Sequence, residues 1–342
     1  MGRLKASGCR RHRTRSSASQ IPIRQGVSSM MLLLSRLFCG MPIGLALSVG
    51  RFLAWIWYWI LPVGRGVAHR NLQMAYHGEL SRSQRRRIVR RCMDIQAMGT
   101  VEMLRAVEYT REQSLKYVHA TGMEHVDRAL EQGKGCIVVT SHVGSIDLMA
   151  YSQSILGFPI NGVVKDIHWK PAKDFVRAVR ERTGLVLISP RQSGDVIRKT
   201  LIDNKAVAMI VDQHAKQYRG LVCEFFGLLA STSPAPARFH FESGAPVVTA
   251  VMYRRGNTSH FDLTAEPFEM ERPHGDLDLD IRHNTERLNA VIESWIRKDP
   301  AQWLWLHKRW KVQDNPEGWE IPEKLRHLVH GADESFIVTD PE

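Results

Sequence analysis

The sequence predicts an α/β protein: a largely parallel central sheet flanked by helices, preceded by an N-terminal membrane-associated helical segment. Three observations carry this reading. Beyond Lys116, short apolar runs alternate with helical stretches, the pattern of strands whose crossover helices cover both faces of a sheet. Residues 30–64 are almost wholly apolar. The chain's 342 residues suffice to bury a substantial core.

Composition narrows the class. Apolar residues at 44% and charged residues at 24% are ordinary globular values, which excludes disordered, collagenous and multi-span membrane chains. The 5 cysteines are scattered and form no C-x-x-C pair, against a disulfide scaffold or structural zinc and in favour of a reducing compartment. The formal charge is +12, and residues 1–29 hold seven Lys/Arg and no acid. That stretch reads as a basic disordered arm without a catalytic role, with Met30 or Met31 as an alternative start.

Four regions follow: the arm at 1–29, a membrane anchor or interfacial segment at 30–64, the main domain at 65–315, and a polar tail at 316–342, expected to lie extended over the surface. Within 30–64, Arg36 and Arg51 bracket 14 uncharged residues, and 13 more follow Arg51. A spanning helix takes about 20 residues, so each run is too short. Trp55, Trp57, Tyr58 and Trp59 suit the headgroup zone, which favours an interfacial or re-entrant segment. A helix is predicted over 81–109, capped by Ser81 or Ser83. Its first turns carry Arg82, Arg85, Arg86, Arg87, Arg90 and Arg91. Behind a membrane segment, such a row attracts anionic lipid at about 1 kcal/mol per cation. No stacking platform or DNA-binding motif accompanies it, which argues against nucleic acid.

Strands are predicted at 136–140, 160–164, 185–188, 206–211 and 247–251, and helices near 147–156, 172–183, 193–202 and 236–243. Ligands of such sheets gather at the carboxyl ends of the strands. There, after 136–140, stands Ser-His-Val-Gly-Ser-Ile-Asp at 141–147. Gly144 permits a sharp turn between His142 and Asp147. The spacing lets the Asp147 carboxylate hold one imidazole nitrogen and leave the other free as a general base. No nucleophile elbow is present, so such a base acts on a substrate hydroxyl directly. No H-E-x-x-H or His pair stands beside an acidic cluster, so neither a metal nor another cofactor is expected.

From about residue 31 to 311 the chain resembles the lipid A biosynthesis (lauroyl/myristoyl) acyltransferases of the lysophospholipid acyltransferase superfamily. The likeness rests on His-Arg-Asn-Leu at 69–72, the H-x4-D element at 142–147, Val-Asp-Gln at 211–213, Phe-Phe-Gly at 225–227 and Ser-Gly-Ala-Pro-Val-Val at 243–248. The closing Gln-Trp-Leu-Trp-Leu-His-Lys-Arg-Trp-Lys at 302–311 is its most specific part. The resemblance implies a glycerolipid-acyltransferase-like sheet and transfer of a fatty acyl group from acyl carrier protein to a hydroxyl of a lipid A precursor. The expected place is the cytoplasmic face of the inner membrane. By the resemblance, His142 is the base and Asp147 its orienting acid. Lys165, Asp212, Gly144, Ser145 and Arg309 fall at or beside substrate-binding positions.

Three departures stand out. Lys165 replaces a usual Arg and lacks its fork. His214 replaces the second acid of the usual D-Q-D, and Asp147 stands where many members that act on lipid A have Glu. Acylation of a lysophospholipid or another lipid by the same pair is therefore an alternative. A catalytically silent lipid-binding scaffold is a further one, disfavoured by the intact His142 and Asp147. Acyl carrier protein is acidic, so a basic rim would steer its docking. Nothing in the sequence sets the oligomeric state.

Overall fold

The computed structural model describes residues 28–329 except 62, 159, 164–168, 183 and 189–192. The predicted arm therefore lies outside the described residues, apart from its last two positions, and so does Lys165.

Helix α1 (Ser29–Cys39) and helix α2 (Ile43–Trp59) open the described chain, followed by α3 (Arg65–Ala75), the long α4 (Arg82–Arg105) and the short α5 (Arg111–Tyr117). Ser81 accepts from the Gln84 amide while the Gln84 side chain accepts from the Ser81 N–H, a reciprocal cap that starts α4 where the sequence predicts. The first two helices lie against α4. Ala46, Leu47, Gly50 and Ala54 form the buried stripe of α2, and a Cβ on Gly50 would come within 2.9 Å of Val101 Cγ2, so the two helices cross closely there. The opposite face shows Leu45, Phe52, Leu53, Trp55 and Trp59 to solvent. Of the four predicted interfacial aromatics, only Trp55 and Trp59 are exposed; Tyr58 is buried and Trp57 packs against the core. Among the described residues, no helix is long and apolar enough to cross a membrane.

Among the described residues, seven strands form the main sheet: β1 (Val118–Thr121), β2 (Cys136–Thr140), β3 (Ile160–Val163), β4 (Val186–Ile188), β5 (Ala206–Ile210), β8 (Val247–Arg254) and β9 (Phe261–Phe268). Their order is β1-β9-β8-β2-β5-β3-β4. Every neighbouring pair is parallel except β8 with β9, so β1 and β9 run against the other five. A separate antiparallel hairpin joins β6 (Leu221–Phe225) to β7 (Leu228–Thr232).

Alternation along β2 sorts the core. Ile137 and Val139 face a layer built with Leu288, Ile292 and Ile296 of α11 (Leu277–Lys298), Phe239 of α10 (Ala235–Ser243), and Ile197 and Leu201 of α9 (Ser193–Ile202). Cys136 and Val138 face the other way, toward Val126 and Ala129 of α6 (Glu124–Glu131) and Leu148 and Met149 of α7 (Ile146–Leu156). A third cluster joins α1, α2 and α4 to Phe175, Val176 and Val179 of α8 (Lys170–Arg182). Burial on both faces explains why β2 reads as a continuous apolar run.

The tail departs from expectation. Trp319, Ile321, Leu325, Leu328 and Val329 pack on Val222 and Leu229 of the hairpin and Val312 of the short α12 (Lys311–Asp314). Residues 316–329 are thus fastened to the domain, because apolar residues spaced among polar ones give them a small core of their own. The tail beyond 329 lies outside the described residues.

Candidate active site

The imidazole of His142 stands just past β2, and Asp212 just past β5. The parallel register pairs Thr140 with Ile210, so the residues two places further along each chain also meet. Asp212 Oδ1 lies 2.8 Å from His142 Nδ1, and Oδ2 accepts from the His142 backbone N–H at 2.7 Å. Trp303, from the closing Trp-rich element, donates its indole N–H to the same Oδ2 at 2.7 Å. Asp212 is 1% exposed and Trp303 2%, so this carboxylate is committed to the imidazole, its loop and the indole.

Electrostatics follow from that burial. For His142, desolvation pulls the pKa down, but the charge and hydrogen bond of Asp212, helped by Asp147, outweigh it and leave the group above its usual value. For Asp212, burial pushes upward, and the imidazolium with the three hydrogen bonds brings the carboxyl below the ordinary carboxylate value. With Nδ1–H donated to Asp212, Nε2 is left with a lone pair. The Gln213 side-chain nitrogen lies 3.3 Å from it.

Asp147 is engaged elsewhere. Its carboxylate accepts from Arg180 of α8 through Nη2 and, at 3.2 Å, through Nε. Among the described contacts no hydrogen bond joins Asp147 to His142; it acts on the imidazole through space. The carboxylate that meets the imidazole is thus Asp212, where the sequence reading expected Asp147. Asp147 sits in the first turn of α7 and reaches Arg180 of α8, while the imidazole reaches Asp212 just past β5.

Other expected binding residues are placed differently too. Gly144 has φ +70, and a Cβ there would lie 1.9 Å from the Met252 carbonyl oxygen, so only glycine lets the loop pass β8 so closely. Its N–H is taken by the Gln302 carbonyl at 2.9 Å. Ser145 is the buried residue at the start of α7 and makes no side-chain cap. Neither lines the cavity described below. Arg309 is fully buried: it donates to the Ser231 carbonyl and, at 2.6 Å, to Thr232 Oγ1. Its guanidinium lies 4.9 Å from the Phe225 ring centroid. Burial lowers its pKa to about 10. It braces the hairpin against the loop after β5.

Several motifs prove to be supports. Asn71 of the His-Arg-Asn-Leu element donates to the carbonyls of Trp305 and His307 at 2.7 and 2.8 Å. Gln302 ties the His142 loop to β8 by accepting from the Arg254 N–H at 2.7 Å and donating to its carbonyl at 3.1 Å. Phe225 and Phe226 pack edge and face against Trp303, Trp305 and Trp310. The sequence reading missed the work of Arg180, Gln213 and Trp303. A tryptophan in the closing element was a visible signal, but its partner lies 91 positions away.

His142 opens onto a cavity of about 850 Å³ between the sheet and helices α6, α7 and α8. Its inner lining is largely apolar, including Met123, Val138, Met149, Ala208, Ala250 and Leu263. At the other end lie His214, Lys216, Tyr218 and Arg219. His214 is lowered to about 4 by burial and by Lys311 and Arg309, so it is neutral near pH 7. Among the described residues, no group of three or more His, Cys, Asp or Glu could hold a metal ion.

An imidazole whose Nε2 lone pair meets the Gln213 amide at the cavity, backed by a buried carboxylate, is equipped to take a proton from a hydroxyl beside an apolar chain. The family model of bacterial lipid A biosynthesis acyltransferases matches residues 13–312. The chain belongs to this family. It is 25% identical to the lipid A biosynthesis lauroyltransferase of Escherichia coli over 254 residues, covering 74% of this chain and 80% of the relative. It is 24% identical to the palmitoleoyltransferase of the same organism, over 72% and 78% of the two chains. A phosphatidylinositol mannoside acyltransferase of Mycolicibacterium smegmatis is 23% identical over 55% of this chain and 60% of its own. The protein is thus an acyltransferase of the lipid A biosynthesis family.

Proposed function

We propose that the protein moves a fatty acyl chain from an acyl carrier protein thioester to a hydroxyl of a lipid A precursor or related glycolipid, at the cytoplasmic face of the inner membrane. The observation that carries this is the His142–Asp212 pair at the open end of an apolar cavity. His142 Nε2 takes the acceptor's proton as the hydroxyl oxygen attacks the thioester carbonyl carbon. The tetrahedral oxyanion then collapses to the ester and expels the thiolate, which recovers the proton from the imidazolium. Asp212 keeps the Nδ1–H tautomer and stabilises the transient positive charge. Asp147 adds its field and anchors α8 to α7 through Arg180.

Two further features support the assignment. The exposed face of α2 presents Phe52, Leu53, Trp55 and Trp59, and Arg86 of α4 lies 4.5 Å from the Trp59 ring centroid. An apolar strip bordered by arginine suits a helix lying in the membrane interface. At the cavity, Lys216 and Arg219 supply cationic charge for an acceptor phosphate or the acidic carrier protein, a role expected of Lys165 as well. The phosphatidylinositol mannoside acyltransferase among the relatives keeps a different lipid acceptor open as the second reading.

Purified protein, acyl-loaded carrier protein and a panel of acceptor lipids test the assignment. Wild type should transfer the chain, and His142→Ala should lose roughly 10²–10⁴-fold in rate. Equal transfer by both proteins would remove His142 from the mechanism. Mass spectrometry of lipids from cells with and without the protein should reveal one missing acyl chain and so name the acceptor.

A further inference from the structure

The cavity crosses the sheet rather than running along it. Five neighbouring strands each contribute a small floor residue: Ala265 of β9, Ala250 of β8, Val138 of β2, Ala208 of β5 and Gly162 of β3. At the usual strand spacing the outermost two are about 19 Å apart. The roof is one face of α7, with Ile146, Met149, Ala150 and Gln153 at helical spacing.

The two ends differ in chemistry. Toward β9 the walls are Met123, Val126 and Leu263, all apolar. Toward β3 stand Gln153, Gln96 and the Asp147–Arg180 pair. Asp147 and Arg180 partner each other, but Gln153 is only partly satisfied. It is 2% exposed, its Nε2 makes a single 3.3 Å contact to Ser152 Oγ, and its Oε1 has no hydrogen-bond partner among the described residues. A buried carbonyl left without a donor loses its hydration without replacement, and leucine would fill the same place without that penalty. Gln153 sits two turns beyond Ile146, about 10 Å further along α7 and away from the His142 end.

We propose that the β3 arm of the cavity receives a hydroxylated acyl chain, whose hydroxyl, remote from the carbonyl that reacts, donates to Gln153 Oε1. This rests on the acyl-transfer reading above and makes Gln153 a specificity residue. The chain belongs either to the thioester donor or to the lipid acceptor, and the test separates these.

In the donor arm of the test, full-length protein is given carrier protein loaded with dodecanoyl or with mid-chain hydroxydodecanoyl, with one fixed acceptor. In the acceptor arm the donor is fixed and the acceptor's chains carry or lack a mid-chain hydroxyl. Wild type should favour the hydroxylated chain by roughly tenfold in kcat/KM in one arm, which names the source. Gln153→Leu should bring that ratio close to one while retaining transfer of the unsubstituted chain. Gln153→Met serves as a second variant, with the melting temperature as the check on folding. No preference in either arm, or a preference that both variants keep, overturns the proposal and leaves a bound water as the partner of Oε1. Absence of transfer from every donor to every acceptor would count instead against acyl transfer itself. Gln153 is then tested by whether hydroxylated chains protect wild type, but not Gln153→Leu, against thermal unfolding.

Discussion

Two aspartates flank the imidazole, and their surroundings differ in kind. Asp212 is sealed beneath the Trp303 indole, with its bonds spent on His142 and that ring. Asp147 lines the cavity and faces Arg180, with a third of its side chain exposed. A buried carboxylate next to an imidazole raises the proton affinity of the ring strongly, because little solvent screens the charge. A carboxylate already paired to a guanidinium and open to water does so weakly. Nearness in sequence therefore says little about which acid tunes the base. What decides it is the register of β2 against β5.

The sharpest way to break this comparison is Asp212→Asn. It preserves shape while removing the charge and favouring the wrong tautomer, so transfer should fall on the order of 10²–10⁴-fold. The pH profile should move as well. In wild type the acid limb lies above about 6.5, because His142 must lose a proton whose affinity Asp212 has raised. Without that carboxylate, burial dominates and the limb should shift to lower pH. A profile that stays in place would return the orienting role to Asp147.

Stability supplies a smaller and independent reading. The His142 contribution is complete below about 6.5, its unfolded value, and is lost as pH rises through the raised folded value. The Asp212 contribution is present above about 3.9 and is lost as pH falls through its lowered folded value. The melting-temperature gap between wild type and Asp212→Asn should therefore be widest between about pH 4 and 6.5 and narrow on either side. A gap independent of pH would mean that packing, and not charge, holds the pair.

Asp147→Asn should affect catalysis least, by less than about tenfold, with little movement of the acid limb. It removes the charge that pairs with the largely buried Arg180 guanidinium, and about 1 kcal/mol of stability should be lost. Arg180→Gln should reproduce that stability loss, whereas Arg180→Lys, keeping the charge, should recover part of it. Should Asp147→Asn abolish transfer while Asp212→Asn spares it, the two sites would exchange their assignments.

Much of the architecture is legible because its causes are local. A doubly buried strand such as β2 reads as an unbroken apolar run, and Ser81 followed by Gln84 announces the start of α4. Strand β1 escaped because only its first residue is buried. Strand β9 does alternate, with Phe261, Leu263 and Ala265 inward, but its polar partners hid the pattern. In the site, His142 was legible from its place at a strand end. Arg180 and Trp303 were not, since they lie 33 and 91 positions from the carboxylates they meet.

The sequence by itself determined the fold class, the family and the imidazole, because periodicity, motif order and strand ends are properties of neighbouring residues. Tertiary structure alone decided which carboxylate holds that imidazole, that Arg309 is a brace, and that the second half of the cavity carries a buried amide. The physical reason is one of distance. β2 and β5 are 70 positions apart where His142 meets Asp212, and side by side in the sheet. Only their pairing register brings the two residues together in a place without water, where a single charge governs a proton.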